Sequence, residues 1–183
     1  MPKGIRPTQD VHRKAIFDVL QGVIVGAKFL DLFAGSGAVG VEALSRRAKE
    51  VVLVERDGNC AAMIRKNLEE LEKGAKTHKA RYRVLALDVF LAIPLFHRSQ
   101  EKFDIIFIDP SYYNSLKSKS LHQPIFWAKK TLQTLTSYDI LSPNGLVVCQ
   151  HSSKEILPES IEFLTLFKQK KDGSTVISFY RRH

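Results

Sequence analysis

Asp109, Pro110, Ser111 and Tyr112 follow a hydrophobic run over residues 103–108. A carboxylate beside a prolyl carbonyl offers two hydrogen-bond acceptors, and proline adds a fixed φ with no N–H of its own. Such a pair can orient an exocyclic base amine, whose lone pair is delocalised into its ring, toward an electrophilic methyl group. Tyr112 can stack on the base face. That reaction needs alignment and polar preorganisation rather than a covalent intermediate. A base within structured nucleic acid would first have to be unpaired or drawn from its stack. Taken alone, Asp109 and Pro110 also make an ordinary strand-to-loop turn.

A second chemical feature follows another hydrophobic run. Gly35, Gly37 and Gly40 satisfy G-x-G-x-x-G between a predicted strand and a predicted helix, and Glu55 ends the next strand 20 residues after Gly35. Glycines permit a tight turn and let a ligand approach the main chain. Glu55 can accept hydrogen bonds from two ribose hydroxyls. The pattern alone also permits a nicotinamide dinucleotide. Asp31 argues against one, because a carboxylate inside the strand suits an amino group or a sulfonium and repels pyrophosphate. Asp88 ends the third strand, where it can reach an adenine amine or cap the following helix.

These residues require a scaffold that brings strand ends together. Short apolar runs at residues 29–33, 51–55, 83–87, 103–108 and 146–150 read as strands. Helices are expected over residues 11–21, 38–46, 59–72 and 125–138, and a short one over 89–95 interrupted by Pro94. Strands alternating with helices imply βαβ units and a mainly parallel sheet. Apolar strands without polar alternation suit a sheet covered on both faces. Residues 163–170 and 175–181 form a closing antiparallel pair around Asp172 and Gly173. Residues 73–83 read as a basic surface connection, and residues 112–122 as a mobile polar loop. The expected fold class is α/β, with helices on both faces of the sheet and a C-terminal antiparallel edge. One domain spans residues 1–183, with residues 1–21 as lead-in and helix.

Composition limits the partners. Lys and Arg number 28 against 19 Asp and Glu, a formal net charge of +9. That excess favours a polyanion such as RNA, DNA or acidic lipid. Arg6, Lys14, Lys117, Lys119, Lys129 and Lys130 are candidate RNA contacts; Lys117 and Lys119 stand out because their loop follows Tyr112. The plain alternative is a solvated loop. Cys60 and Cys149 form no CxxC pair and read as core thiols in a reducing, cytoplasmic compartment. His12, His97, His122 and His151 lack metal-ligand spacing, so no metal is expected. No apolar stretch reaches membrane-spanning length, and no membrane partner or obligate protein partner is evident.

The residues together resemble the bacterial 16S ribosomal RNA guanine-N2 methyltransferase family. The resemblance starts at Arg6, Pro7 and Thr8, with Asp10, Arg13, Phe17 and Leu20. It runs through residues 30–37, Gly40, residues 42–46, Glu55 and Asn67, then residues 103–110 and the Phe179–Tyr180 region. It covers nearly the whole chain. It implies a Rossmann-like methyltransferase fold, S-adenosylmethionine as cofactor and S-adenosylhomocysteine as product. The partner implied is 16S ribosomal RNA, a 30S subunit or an assembly intermediate. By this resemblance Asp31, Phe33, Gly35, Ser36, Gly37, Glu55, Arg56, Asp88 and Val89 bind cofactor. Asp109, Pro110 and Tyr112 match the acceptor-amine motif. Arg6, Thr8, Arg13, Lys117 and Lys119 are the RNA-facing set.

Three departures from the family pattern stand out. Ser111 replaces a usual second proline. The chain begins almost at Arg6, where the family usually carries a basic, glycine-containing hairpin before it. Gln150 stands where the family commonly has Glu. The motif does not by itself separate guanine from adenine, so a DNA adenine-N6 methyltransferase is an alternative, as is a noncatalytic RNA-binding protein retaining the cofactor fold.

Overall fold

The computed structural model describes residues 10–74, 81–110 and 126–182. Five strands are mutually parallel: β1 (Lys28–Asp31), β2 (Glu50–Glu55), β3 (Arg81–Ala86), β4 (Phe103–Ile108) and β5 (Leu141–Ser152). Three more close the sheet antiparallel: β6 (Ser160–Ile161), β7 (Leu164–Asp172) and β8 (Thr175–Arg182). The spatial order is β3-β2-β1-β4-β5-β8-β7-β6. The chain runs outward from β1 through β2 to β3, then crosses back to β4 on the other side of β1. The strand order thus reverses between β1 and β4, and in open α/β sheets that switch point is where a crevice forms at the carboxyl ends of the strands.

Strand periodicity sorts the core into two layers. Leu30, Val52, Ile106 and Val147 pack with helices α4 (Val89–Arg98) and α5 (Trp127–Tyr138). Phe29, Val51, Leu53, Phe107 and Val148 pack with α1 (Asp10–Leu20), α2 (Ala38–Ser45) and α3 (Gly58–Gly74). Successive residues point to opposite faces, so both faces are apolar and both are covered. This is the α/β arrangement that the strand–helix alternation predicts.

Four local expectations are corrected. Pro94 does not interrupt α4, which continues to Arg98. Ile93 and Phe96 flank it and are fully buried, and their packing offsets the roughly 3 kcal/mol that an internal proline costs. The strand expected from residue 146 begins at Leu141. Its Pro143–Gly145 segment is a bulge, because Phe103 pairs Leu141 while Ile105 already pairs Leu146. β3 starts at Arg81 rather than Arg83, and its side chains alternate in exposure because it is the sheet edge. β6 carries no pattern in so short a run; it exists through pairing with β7.

α1 is fastened to the far hairpin. His12 Nε2 lies 3.0 Å from Asp172 Oδ2, and Lys170 Nζ donates to the Ala15 carbonyl at 3.3 Å. Cys60 and Cys149 are both buried free thiols, and burial pushes each thiol's pKa up. No helix among the described residues is long and apolar enough to cross a membrane.

Candidate functional site

The glycine turn is built by backbone geometry that side chains would resist. Gly35 and Gly37 have φ of 54° and 78°. Gly37 N–H donates to the Ala34 carbonyl at 2.7 Å, closing the turn that starts α2. Gly40 serves a different purpose. A Cβ there would meet Leu53 Cδ2 at 2.6 Å, so its lack of a side chain lets α2 lie against β2.

Glu55 braces that turn from the neighbouring strand. Its Oε2 accepts from Gly35 N–H at 2.9 Å and its Oε1 from Asp57 N–H at 2.8 Å. Each carboxylate oxygen has a second lone pair, so both can still accept a hydroxyl. Asp57 in turn accepts from Asn59 and Cys60 N–H at 2.9 and 3.0 Å at the start of α3. Those bonds hold its pKa below the usual carboxylate range.

Asp88 does cap a helix. Its Oδ1 accepts from Phe90 N–H at 2.9 Å, while Oδ2 faces Arg56 Nη1 at 3.8 Å. Val89 is buried directly beneath this cap. Phe90, Trp127 and Lys130 gather near the same end of the sheet. The two rings lie 5.6 Å apart, and Lys130 Nζ stands 4.5 Å from the Phe90 ring.

Asp31 is the electrostatic centre. It is 1% exposed at the end of β1 and accepts a long hydrogen bond from Phe33 N–H, at 3.4 Å. Burial, together with the nearby charges of Asp109 and Glu55, pushes its pKa up to about 8. A buried carboxyl crowded by two other acids is a natural seat for a cation.

Asp109 follows β4 next to β1, and β5 lies on its other side. Gln150 Nε2 donates to Asp109 Oδ2 at 3.2 Å. Register explains the meeting: Ile108 pairs Cys149, so the next residues on each strand lie side by side. Strand alternation sets Asp31, Asp109 and Gln150 on the face of the sheet that α1, α2 and α3 cover, above Phe29, Phe107 and Val148. Sequence reading marked Gln150 as a departure from the family's usual Glu and did not pair it with Asp109. A polar residue within an apolar strand was the available signal. It also missed Glu155, a largely buried acid that accepts from Lys129 N–H at 2.7 Å in the first turn of α5 and whose pKa burial raises.

The other predicted residues divide. Arg13 is engaged by Asp10 at 2.7 Å and faces Glu42 at 4.0 Å. His151 is held by the Ser152 carbonyl and the Ser178 hydroxyl, an ordinary buried polar role. Arg6, Thr8, Ser111, Tyr112, Lys117 and Lys119 lie outside the described residues, as does the loop expected over residues 112–122. Among the described residues no group of three or more His, Cys, Asp or Glu side chains is placed to hold a metal ion.

Comparison with known proteins agrees with this architecture. Residues 1–181 match the family model described as conserved hypothetical protein 95. The chain is 32% identical over 181 residues to the ribosomal RNA small subunit methyltransferase D of Haemophilus influenzae, covering 98% of this chain and 84% of that one. The Escherichia coli protein of the same name is 31% identical, covering 98% and 80%. Among solved structures, the Escherichia coli protein yhhF superposes with a TM-score of 0.77 at 27% identity, covering 100% of this chain and 91% of that one. A Thermus thermophilus protein superposes at 0.75 with 28% identity, covering 98% and 90%.

Proposed function

We propose that this chain, which belongs to the ribosomal RNA small subunit methyltransferase D family, transfers a methyl group from S-adenosylmethionine to the N2 amine of a guanine in 16S ribosomal RNA. The observation that carries the reading is the meeting of Asp31, Asp109 and the glycine turn at the β1/β4 crevice. One domain over residues 1–183 does this, working in the cytoplasm on 16S ribosomal RNA, a 30S subunit or an assembly intermediate.

The chain's own groups fit the cofactor. Asp31 is a buried acid at the end of β1, suited to an α-amino group. The turn of Phe33, Gly35, Ser36 and Gly37 leaves main chain open to close approach. Glu55 keeps two lone pairs for ribose hydroxyls. Asp88, with Arg56 and Val89, borders the adenine end. When bound, S-adenosylmethionine supplies an electrophilic methyl carbon on a sulfonium.

Asp109 and the Pro110 carbonyl accept the two amine hydrogens and aim the nitrogen lone pair. Tyr112 stacks on the base. Forming the new N–C bond would break the methyl's bond to sulfur, with S-adenosylhomocysteine as the leaving group, and the amine's surplus proton would pass to the Asp109 carboxylate beside it. Arg6, Thr8, Arg13, Lys117 and Lys119 serve RNA binding, which the net charge of +9 favours.

The test is tritiated-methyl transfer to 30S particles lacking their native guanine modifications, followed by nucleoside analysis. Labelled N2-methylguanosine is expected. N6-methyladenosine in DNA, or cofactor binding without transfer to any particle, would replace this reading.

A further inference from the structure

Gln150 carries a feature that methyl transfer by Asp109 does not use. The side chain belongs to a residue only 6% exposed, and its Oε1 is fully buried with no hydrogen-bond partner among the described residues. Leaving a buried acceptor unpaired costs about 1–3 kcal/mol, so native proteins seldom do it without a use. Its orientation is fixed by chemistry. Its Nε2 donates to Asp109 Oδ2 at 3.2 Å, the direction a carboxylate requires because it only accepts. The oxygen is therefore the end left over.

We propose that Gln150 is the residue that distinguishes guanine from adenine: its Nε2–H holds the Asp109 carboxylate, and its Oε1 accepts a ring N–H from the base whose amine Asp109 holds. This rests on the methyltransferase reading above. The oxygen and nitrogen of an amide are about 2.2 Å apart, so Oε1 lies no farther than about 5.4 Å from Asp109 Oδ2. A base amine bound to Asp109 brings its adjoining ring edge into the same space. In guanine the ring nitrogen beside the amine carries a hydrogen and donates. In adenine the corresponding ring nitrogen presents a lone pair. An acceptor there pairs with guanine and leaves two facing lone pairs with adenine, the kind of mismatch that discriminates strongly in a buried site.

The amide form matters as well as the position. Burial, with the charges of Asp109 and Glu55 close by, already pushes the Asp31 carboxyl's pKa up. A neutral donor on β5 steadies the Asp109 carboxylate without adding to that crowding. A carboxyl in its place could do so only while holding a proton, since two carboxylates at this distance cannot both ionise.

Two variants test the assignment on 30S particles. Gln150→Met keeps the volume but neither donates nor accepts. It should lower kcat about tenfold or more, the loss of at least one net hydrogen bond, while the melting temperature stays level or rises because the orphaned acceptor is gone. A side chain with only a structural role would show the reverse, lost stability at unchanged kcat, and that result overturns the proposal. Gln150→Glu should regain activity toward low pH and lose it as pH rises, a limb absent from the wild-type profile. A Gln150→Glu profile parallel to wild type also overturns it.

If the wild-type protein labels no particle, the functional reading fails and binding decides this inference separately. The probes are short single-stranded uridine RNAs carrying one guanine or one adenine, offered to cofactor-free protein. Wild type should prefer the guanine probe by about tenfold and Gln150→Met should bind both alike. Equal preference in the two proteins overturns the assignment.

Discussion

The Gly35 N–H and the Glu55 carboxylate are joined at 2.9 Å across two neighbouring strands. The acid at the end of β2 therefore shapes the turn after β1 before any ligand arrives. Glu55 also holds Asp57 N–H, which leads into α3. One side chain thus couples the turn, the second strand and the third helix.

Glu55→Ala releases both backbone donors. Stability should fall by about 1–3 kcal/mol, read by urea denaturation, from the two lost hydrogen bonds. S-adenosylmethionine affinity, read by calorimetry, should fall more than tenfold, since both the hydroxyl acceptors and the shape of the turn are lost.

Gly40→Ala separates packing from ligand approach. The added methyl would sit 2.6 Å from Leu53 Cδ2 and 3.2 Å from Val51 Cγ1, both in the core. Overpacking of this kind costs about 1–3 kcal/mol. The folded fraction should still bind cofactor, because Gly40 lies inside α2 with its missing side chain turned toward β2.

Asp31 gives the stability a pH slope. Its carboxyl stands at about 8 in the fold against 3.8 for the ordinary residue. Below 3.8 both folded and unfolded chains hold the proton, and the contribution is fully present. As pH rises the unfolded chain ionises first, so stability is lost by roughly 1.4 kcal/mol per unit until the folded group also ionises. Asp31→Asn should remove that slope between those limits in pH-dependent denaturation. In the same window wild-type cofactor binding should release a proton, seen as a buffer-dependent heat in titration calorimetry.

Asp109→Asn should leave cofactor affinity intact or slightly tighter, because a negative neighbour of Asp31 is gone. Methyl transfer should fall about 10²–10³-fold, the scale of removing one preorganised polar group from a reacting centre. Binding by calorimetry and turnover on 30S particles read the two effects apart.

Much of the architecture was legible in the chain. Short unbroken apolar runs and helices with apolar stripes encode local backbone and the side it buries, so the α/β class and most elements followed. The turn at Gly35 and Gly37 and the Asp88 cap were legible for the same reason: turns and caps are made by residues close in sequence. Pro94 shows where local rules stop, since burial of Ile93 and Phe96 outweighs a proline's preference. The Leu141 start of β5 is similar, a bulge fixed by pairing with β4 rather than by its own residues.

The sequence by itself determined which residues are candidates for the chemistry and that they stand at the ends of strands. Only the tertiary structure decided which strands are neighbours. Asp109 and Gln150 are 41 residues apart and meet because β4 and β5 pair in one register. Asp31 meets Asp109 because β1 lies beside β4, and that neighbourhood together with burial sets its charge state. Charge states and orphaned acceptors arise from desolvation and from partners brought across crossovers. Neither has a period or a spacing that a linear chain can display.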